Sequence, residues 1–125
     1  MSEADRNARL ETILAAAMRA EDPVAALLAA AEHETDLETR EALRRVDPDG
    51  VRMQALLIAR LRFERLVRAS IEAGERFEAS PQEFTKTFRR YHREVPMHAF
   101  FPKDEARGFA AWEAAARDAP ENEGV

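Results

Sequence analysis

Basic residues recur on one side of a predicted helix at residues 81–94, where they could bind an anion. The four cations are Lys86, Arg89, Arg90 and Arg93. At 100° per residue they cluster almost opposite an aromatic stripe on the same segment. A helix of this kind could lie against the phosphate backbone of a nucleic acid or against an acidic peptide.

The opposite side of this segment predicts how it is held. Phe84, Phe88, Tyr91 and Val95 fall at i, i+4, i+7 and i+11, the spacing of a buried helix face. The alternative for the cations is structural, because basic residues near a helix C-terminus complement the helix dipole and an amphipathic helix needs a charged side. No Asn accompanies the arginines there, so base-specific readout is not expected.

A second candidate site is the apolar loop 95–101, which contains Phe100 and Phe101. Exposed aromatic residues here would mark a groove for a partner protein or peptide. The alternative, which we favour from the sequence, is that they fill the core between two helices.

Enzymatic chemistry has little support in the residue pattern. There is no cysteine, and no nucleophile elbow, phosphate-binding glycine loop or zinc-protease helix is present. His92 and His98 are separated by Pro96 and lack the i, i+4 spacing of a ligand pair on one helix. A histidine–carboxylate site remains the third, enzymatic hypothesis. We predict no metal, no cofactor and no catalytic activity.

These residues must be positioned by helices, because helical periodicity recurs and no useful strand-like alternation is found. We predict an all-α fold, a compact bundle of five or six helices around a long central helix at about 48–73. Asp47 should cap this helix and Gly74 should end it. Thr35 is favoured over Asp36 as the cap of a short earlier helix, and Ser80 is predicted to begin helix 81–94 with a capping box.

The apolar residues of the central helix spread over a wide arc. This breadth predicts a helix covered by neighbours on more than one side. We therefore expect four of its large apolar side chains to be mostly buried: Leu56, Leu57, Leu61 and Phe63.

The length of 125 residues suits one domain, predicted over 1–117, followed by a disordered acidic tail at 118–125. Residues 1–50 contain six basic and twelve acidic residues, whereas 51–100 contain ten basic and six acidic ones. All aromatic residues follow residue 62, so the first half should pack with Ala and Leu and the second with rings. Two subassemblies or one core with unequal ends would both fit.

Composition also bears on the setting of the protein. Seventeen arginines, two lysines and twenty-five alanines suggest a GC-rich bacterial genome. The first residues lack the apolar region of a signal peptide, and no apolar run approaches the roughly 20 residues of a membrane span. We expect a cytoplasmic protein with no membrane partner.

The segment 84–112 carries Phe84, Tyr91, Pro96, Phe109 and Trp112 in this order. In this respect it resembles helical partner proteins of bacterial peptide-modifying metalloenzymes, some of which are described as candidate DNA-binding proteins. The residues concerned are common core types, so no function or residue role is transferred.

Two function classes therefore lead. The first is a non-catalytic helical module that binds another protein or peptide in an accessory or regulatory role. The second is a nucleic-acid-binding transcriptional regulator that uses the basic face of helix 81–94. The sequence leaves the partner and the oligomeric state open.

Overall fold

The computed structural model describes residues 1–97 and 101–118, and within these ranges the chain is helical with no strand. This confirms the predicted all-α class. Seven helices follow in order: α1 (Glu3–Met18), α2 (Pro23–His33), α3 (Leu37–Arg44), α4 (Pro48–Ala69), α5 (Ile71–Ala79), α6 (Pro81–Glu94) and α7 (Pro102–Asp118). The predicted count of five or six is too low, because residues 71–79 form a helix of their own.

The long central helix ends earlier than predicted. α4 stops at Ala69, and Ser70 adopts an extended conformation whose hydroxyl accepts a hydrogen bond from the Ala73 amide at 3.1 Å. A serine that caps the following amides gives the backbone an alternative to helix continuation. Gly74 lies inside α5 and is not the stop signal that the sequence predicted.

Three predicted caps have different outcomes. The Asp47 carboxylate accepts a hydrogen bond from the Gly50 amide at 3.0 Å, which confirms its role at the start of α4. Asp36, rather than Thr35, caps α3, because its carboxylate accepts from the Thr39 amide at 3.1 Å. Ser80 precedes α6, but its side chain makes no capping hydrogen bond. The capping box predicted there is wrong.

The described chain divides into two compact units, Met1–Arg60 and Leu61–Val125. The first unit contains α1 to α3 and the first part of α4. Its core is formed by small and aliphatic residues: Ala17, Leu27, Ala31, Leu43 and Val51. Ion pairs from Arg9 to Glu34 at 2.6 Å and from Arg6 to Asp36 at 2.9 Å join α1 to the segment between α2 and α3.

The second unit contains the end of α4 and the helices α5 to α7. Its core is mainly aromatic: Leu66, Ala73, Phe84, Phe88, Tyr91 and Phe109. Edge-to-face contacts such as Phe63 with Phe88, at 5.2 Å between centroids, are the preferred geometry for aromatic pairs. The predicted division into an alanine-rich and a ring-rich core is confirmed. The single domain over 1–117 stays a prediction, and residues 119–125 of the predicted tail lie outside the described residues.

The buried face of α4 is narrower than predicted. Its buried residues are Val51, Ala55, Arg62 and Leu66, which share one face. Three of the leucines expected in the core are exposed instead: Leu56 by 64%, Leu57 by 48% and Leu61 by 59%. Phe63 is partly buried. The expectation that neighbours cover α4 on more than one side is therefore wrong for these leucines, and an arginine occupies the core side in their place.

Candidate functional site

α6 is anchored as the sequence predicted. Phe84, Phe88 and Tyr91 are exposed by no more than 4%, and they turn one side of the helix into the core of the second unit. The partly buried Val95 follows at the C-terminal end. This anchoring fixes which side of α6 faces solvent.

The four predicted cations of α6 are all exposed, but they differ in their partners. Arg90 donates to the Glu94 carboxylate at 2.8 Å, and its guanidinium lies 5.5 Å from the centre of the Trp112 ring. The Glu94 pKa is lowered by hydrogen bonds from Arg90 and then from the Trp112 indole. Lys86 lies 3.9 Å from the Glu83 carboxylate. Two of the cations thus face a carboxylate of their own helix.

Arg89 and Arg93 complete this basic surface. Both side chains are exposed on α6. Arg89 forms no ion pair with a residue of the described ranges 1–97 and 101–118. The four cations are therefore exposed on the outer side of α6, and within the described ranges Arg89 is the least compensated of them.

The apolar loop is only partly described. Phe100 lies outside the described residues. Phe101 is 61% exposed, so it does not fill the core as the structural alternative required. Its backbone carbonyl accepts a hydrogen bond from the Asp104 amide at 3.0 Å and thereby closes the first turn of α7. This hydrogen bond ties the backbone of Phe101 to the start of α7.

Phe101 lines an open surface groove that sequence reasoning did not predict. The groove is formed by the end of α4 and the start of α7, and its lining residues are Arg68, Ala69, Phe101, Pro102 and Lys103. The exposed ring, a proline and an alanine supply apolar surface, and a cation lies on each of the two helices. We call this surface the Phe101 groove.

Charge compensation distinguishes the two cations of the Phe101 groove. Neither Arg68 nor Lys103 forms an ion pair with any residue in the described part of the chain. The acidic residues that follow Lys103 have other partners: Asp104 lies 3.7 Å from Arg107, and Glu105 pairs with Arg62. The groove therefore combines apolar surface with two positive charges that remain available to a ligand.

A buried polar cluster lies in the same unit and connects α4, α6 and α7. Arg62 is 2% exposed, and its Nε donates to Glu105 Oε2 at 3.0 Å. The Tyr91 hydroxyl donates a hydrogen bond to the same carboxylate oxygen. The Arg62 guanidinium also lies 4.3 Å from the centre of the Tyr91 ring. Burial of the ion pair is tolerable because both charges are hydrogen-bonded.

Arg62 also holds the end of α6. One of its terminal nitrogens donates to the Val95 carbonyl at 2.7 Å and lies 3.2 Å from His92 Nδ1. A guanidinium can only donate hydrogen bonds, so His92 Nδ1 is the acceptor here. The imidazole therefore carries no proton on Nδ1. The same arginine thus fixes the C-terminus of α6 and, through Glu105, the first turn of α7 beside the groove.

This environment shifts the pKa of the Tyr91 hydroxyl. Burial raises its pKa to about 12, and the hydrogen bond to Glu105 acts in the same direction. The phenol is therefore a neutral donor over the ordinary pH range. Gly108 lets α7 pass close to it, since a Cβ at this position would lie 3.3 Å from the phenol oxygen.

The residues of the enzymatic hypothesis do not converge as a metal site in the part described. Over 1–97 and 101–118 no group of three or more His, Asp or Glu side chains could hold a metal ion. His98 lies outside these residues, and His92 contacts Arg62.

A pattern that could have revealed the buried cluster was present in the sequence. Arg62 falls on the same side of α4 as Val51, Ala55 and Leu66. A charged residue in that position predicts a buried partner, but the sequence alone does not show that the partner is Glu105, 43 residues later.

Comparisons with known proteins give no family: no protein-family model, curated protein or solved structure matches this chain. None of the helices in the described ranges combines the length and the apolar character that a membrane span requires.

Proposed function

We propose that this protein is a non-catalytic helical module that binds a protein or peptide segment, and that the Phe101 groove is the binding site. The observation that carries the proposal is that one groove is lined by the exposed Phe101 ring and by two cations without ion-pair partners in the described chain. Apolar surface with a few placed charges is the usual character of a peptide-binding groove.

The chemistry of the groove defines its ligand. Arg68 and Lys103 favour a segment with acidic side chains, and the apolar lining favours one aromatic or aliphatic anchor in that segment. The buried Arg62–Glu105 pair supports this assignment, because it fixes the first turn of α7. A preorganised site loses less conformational entropy when it binds.

A selection from a random peptide library tests this proposal. Peptides selected on the wild-type protein should be enriched in Asp or Glu around an apolar residue. Their affinity should fall about fivefold in Arg68→Glu, since one exposed charge contact is worth up to about 1 kcal/mol. Arg89→Glu is the matched control, because it makes the same charge change on exposed α6. Selected peptides that bind Arg68→Glu as tightly as the wild type, or an absence of enrichment, would contradict the proposal.

The second candidate function is binding of nucleic acid by the outer face of α6. It is favoured by the exposure of Lys86, Arg89, Arg90 and Arg93 on one surface. The contacts of Arg90 with Glu94 and of Lys86 with Glu83 reduce the available charge. We therefore place this function second.

We also propose an origin and a role for the protein. An arginine- and alanine-rich composition supports a bacterial origin. We propose an accessory or regulatory role for this binding module.

A further inference from the structure

The solvent-facing side of α4 in the first unit carries an ordered stripe. Asp49, Met53, Leu56 and Arg60 follow one another at i, i+4, i+7 and i+11, and all four are exposed. Met53 is 58% exposed, Leu56 is 64% exposed, and the Asp49 side chain is 94% exposed. We call these four residues the α4 stripe.

The spacing of the stripe is that of helix pairing. Alternating steps of four and three residues keep side chains on one seam, and two such seams pack side by side in coiled coils. The two central positions are large and apolar, although they face solvent. Adjacent exposed apolar residues on one helix face are typical of an interaction surface. Leu57, 48% exposed, widens the apolar centre.

The charges at the ends determine the partner and its direction. Asp49 lies at one end of the stripe and Arg60 at the other. If a second copy of the chain packs antiparallel, Asp49 of each copy lies opposite Arg60 of the other, and Met53 lies opposite Leu56. A parallel pair would place Asp49 opposite Asp49 and Arg60 opposite Arg60.

We propose that the α4 stripe binds the same stripe of a second copy in antiparallel orientation, which forms a two-fold symmetric dimer. The stripe is self-complementary, as an isologous interface requires. Both end charges also have a partner within their own chain: Asp49 lies 3.2 Å from Arg52, and Arg60 has a contact of its own. Contacts of such exposed side chains are weak and can exchange for the new ones. The proposal concerns a different surface from the Phe101 groove and does not depend on it.

The expected dimer is weak. One helix face on each side buries less than the roughly 800 Å² per partner of a standard stable interface. The association should therefore depend on protein concentration and should be weakened by salt, because the end charges are exposed.

Sedimentation equilibrium over a concentration series tests the apolar centre. The wild-type protein should shift from monomer toward dimer as concentration rises. Leu56→Glu should remain monomeric, whereas Leu37→Glu, which changes a 67% exposed leucine on α3, should dimerise like the wild type. A wild-type monomer at every concentration, or equal dimerisation of Leu56→Glu, would overturn the proposal.

Charge exchange tests the direction of packing. Asp49→Arg or Arg60→Asp alone places like charges at both ends and should weaken the dimer about fivefold or more. The double variant Asp49→Arg with Arg60→Asp restores opposite charges in the antiparallel pair and should recover most of the affinity. If the double variant dimerises no better than the single ones, antiparallel pairing is wrong. Circular dichroism on each variant checks that the helices remain folded.

Discussion

Arg62 and Glu105 form a buried ion pair between α4 and α7, with 3.0 Å between the guanidinium Nε and the carboxylate Oε2. Both side chains are exposed by no more than 3%. Because the arginine also donates to the Val95 carbonyl and the carboxylate also accepts from Tyr91, removal of one charge leaves several polar groups without a partner.

Single substitutions in this pair should be strongly destabilising. We expect Arg62→Met or Glu105→Leu to lower the free energy of unfolding by about 3 to 5 kcal/mol, because each leaves the other charge buried alone. The double variant should lose clearly less than the sum of the two. Urea unfolding of the three variants measures this coupling.

Arg90→Met is the control for that series. It removes one member of the exposed Arg90–Glu94 pair, and such helix pairs contribute only about 0.3 to 0.5 kcal/mol. A comparable loss of stability in Arg62→Met and Arg90→Met would show that the buried pair does not support the second unit.

Tyr91 should make stability depend on alkaline pH. Its pKa rises from 10.0 in the unfolded reference to about 12 in the fold, so the fold favours the neutral phenol. The resulting stabilisation is complete below pH 10 and is lost as pH rises toward 12. Two pKa units correspond to about 3 kcal/mol. Urea unfolding at a series of alkaline pH values should show this loss in the wild type and a smaller one in Tyr91→Phe, and identical profiles would refute it.

The stability of the first unit should instead depend on acidic pH. Hydrogen bonds from Arg6 and then from Thr39 lower the Asp36 pKa, and the Asp36 amide followed by Arg9 lowers that of Glu34. Groups with a lowered pKa stabilise the fold above their ordinary values of 3.8 and 4.5, and this contribution is lost as pH falls below them.

The variant Asp36→Asn should reduce this acid dependence, because its side chain cannot titrate. Loss of helical circular dichroism between pH 5 and 2 measures the effect. Glu38→Gln, which changes an exposed carboxylate near Arg6, is the control and should follow the wild type more closely. An acid profile of Asp36→Asn that matches the wild type would mean that another group controls unfolding.

The nucleic-acid hypothesis makes a separate prediction for α6. If its outer face binds duplex DNA, the affinity should fall steeply with salt, and Arg89→Glu with Arg93→Glu should abolish most of it. Fluorescence anisotropy at several salt concentrations measures both effects, with Arg68→Glu as the control. An affinity that does not depend on salt, or that is unchanged in the double variant, would exclude this surface as the DNA-binding site.

Periodicity predicted the buried face of α6 well, whereas cap chemistry was correct at Asp47 and wrong at Thr35 and Ser80. The stripe of Phe84, Phe88 and Tyr91 is buried as predicted, because large aromatic residues repeated along one helix face are rarely left exposed to water. Ser70 was missed, since a single serine inside a helical pattern does not reveal that its hydroxyl caps the next turn.

The burial of α4 and the Phe101 groove could not be predicted in the same way. Leu56, Leu57 and Leu61 are apolar, but whether a leucine is covered depends on which neighbours reach it. The groove joins Arg68 to Lys103, two residues far apart in sequence that meet only through tertiary packing. For the loop, the sequence favoured a core position for Phe101, and that interpretation is wrong, because the ring is 61% exposed.

Chemical-shift mapping by NMR is the most direct test of the Phe101 groove. A selected acidic peptide with one apolar anchor should be titrated into the labelled protein. The binding proposal predicts that the largest amide shifts fall at residues 68, 69, 101 and 103, and that Phe101→Ala weakens binding about tenfold through lost apolar burial. Shifts confined to residues 86–93, or unchanged affinity in Phe101→Ala, would contradict it.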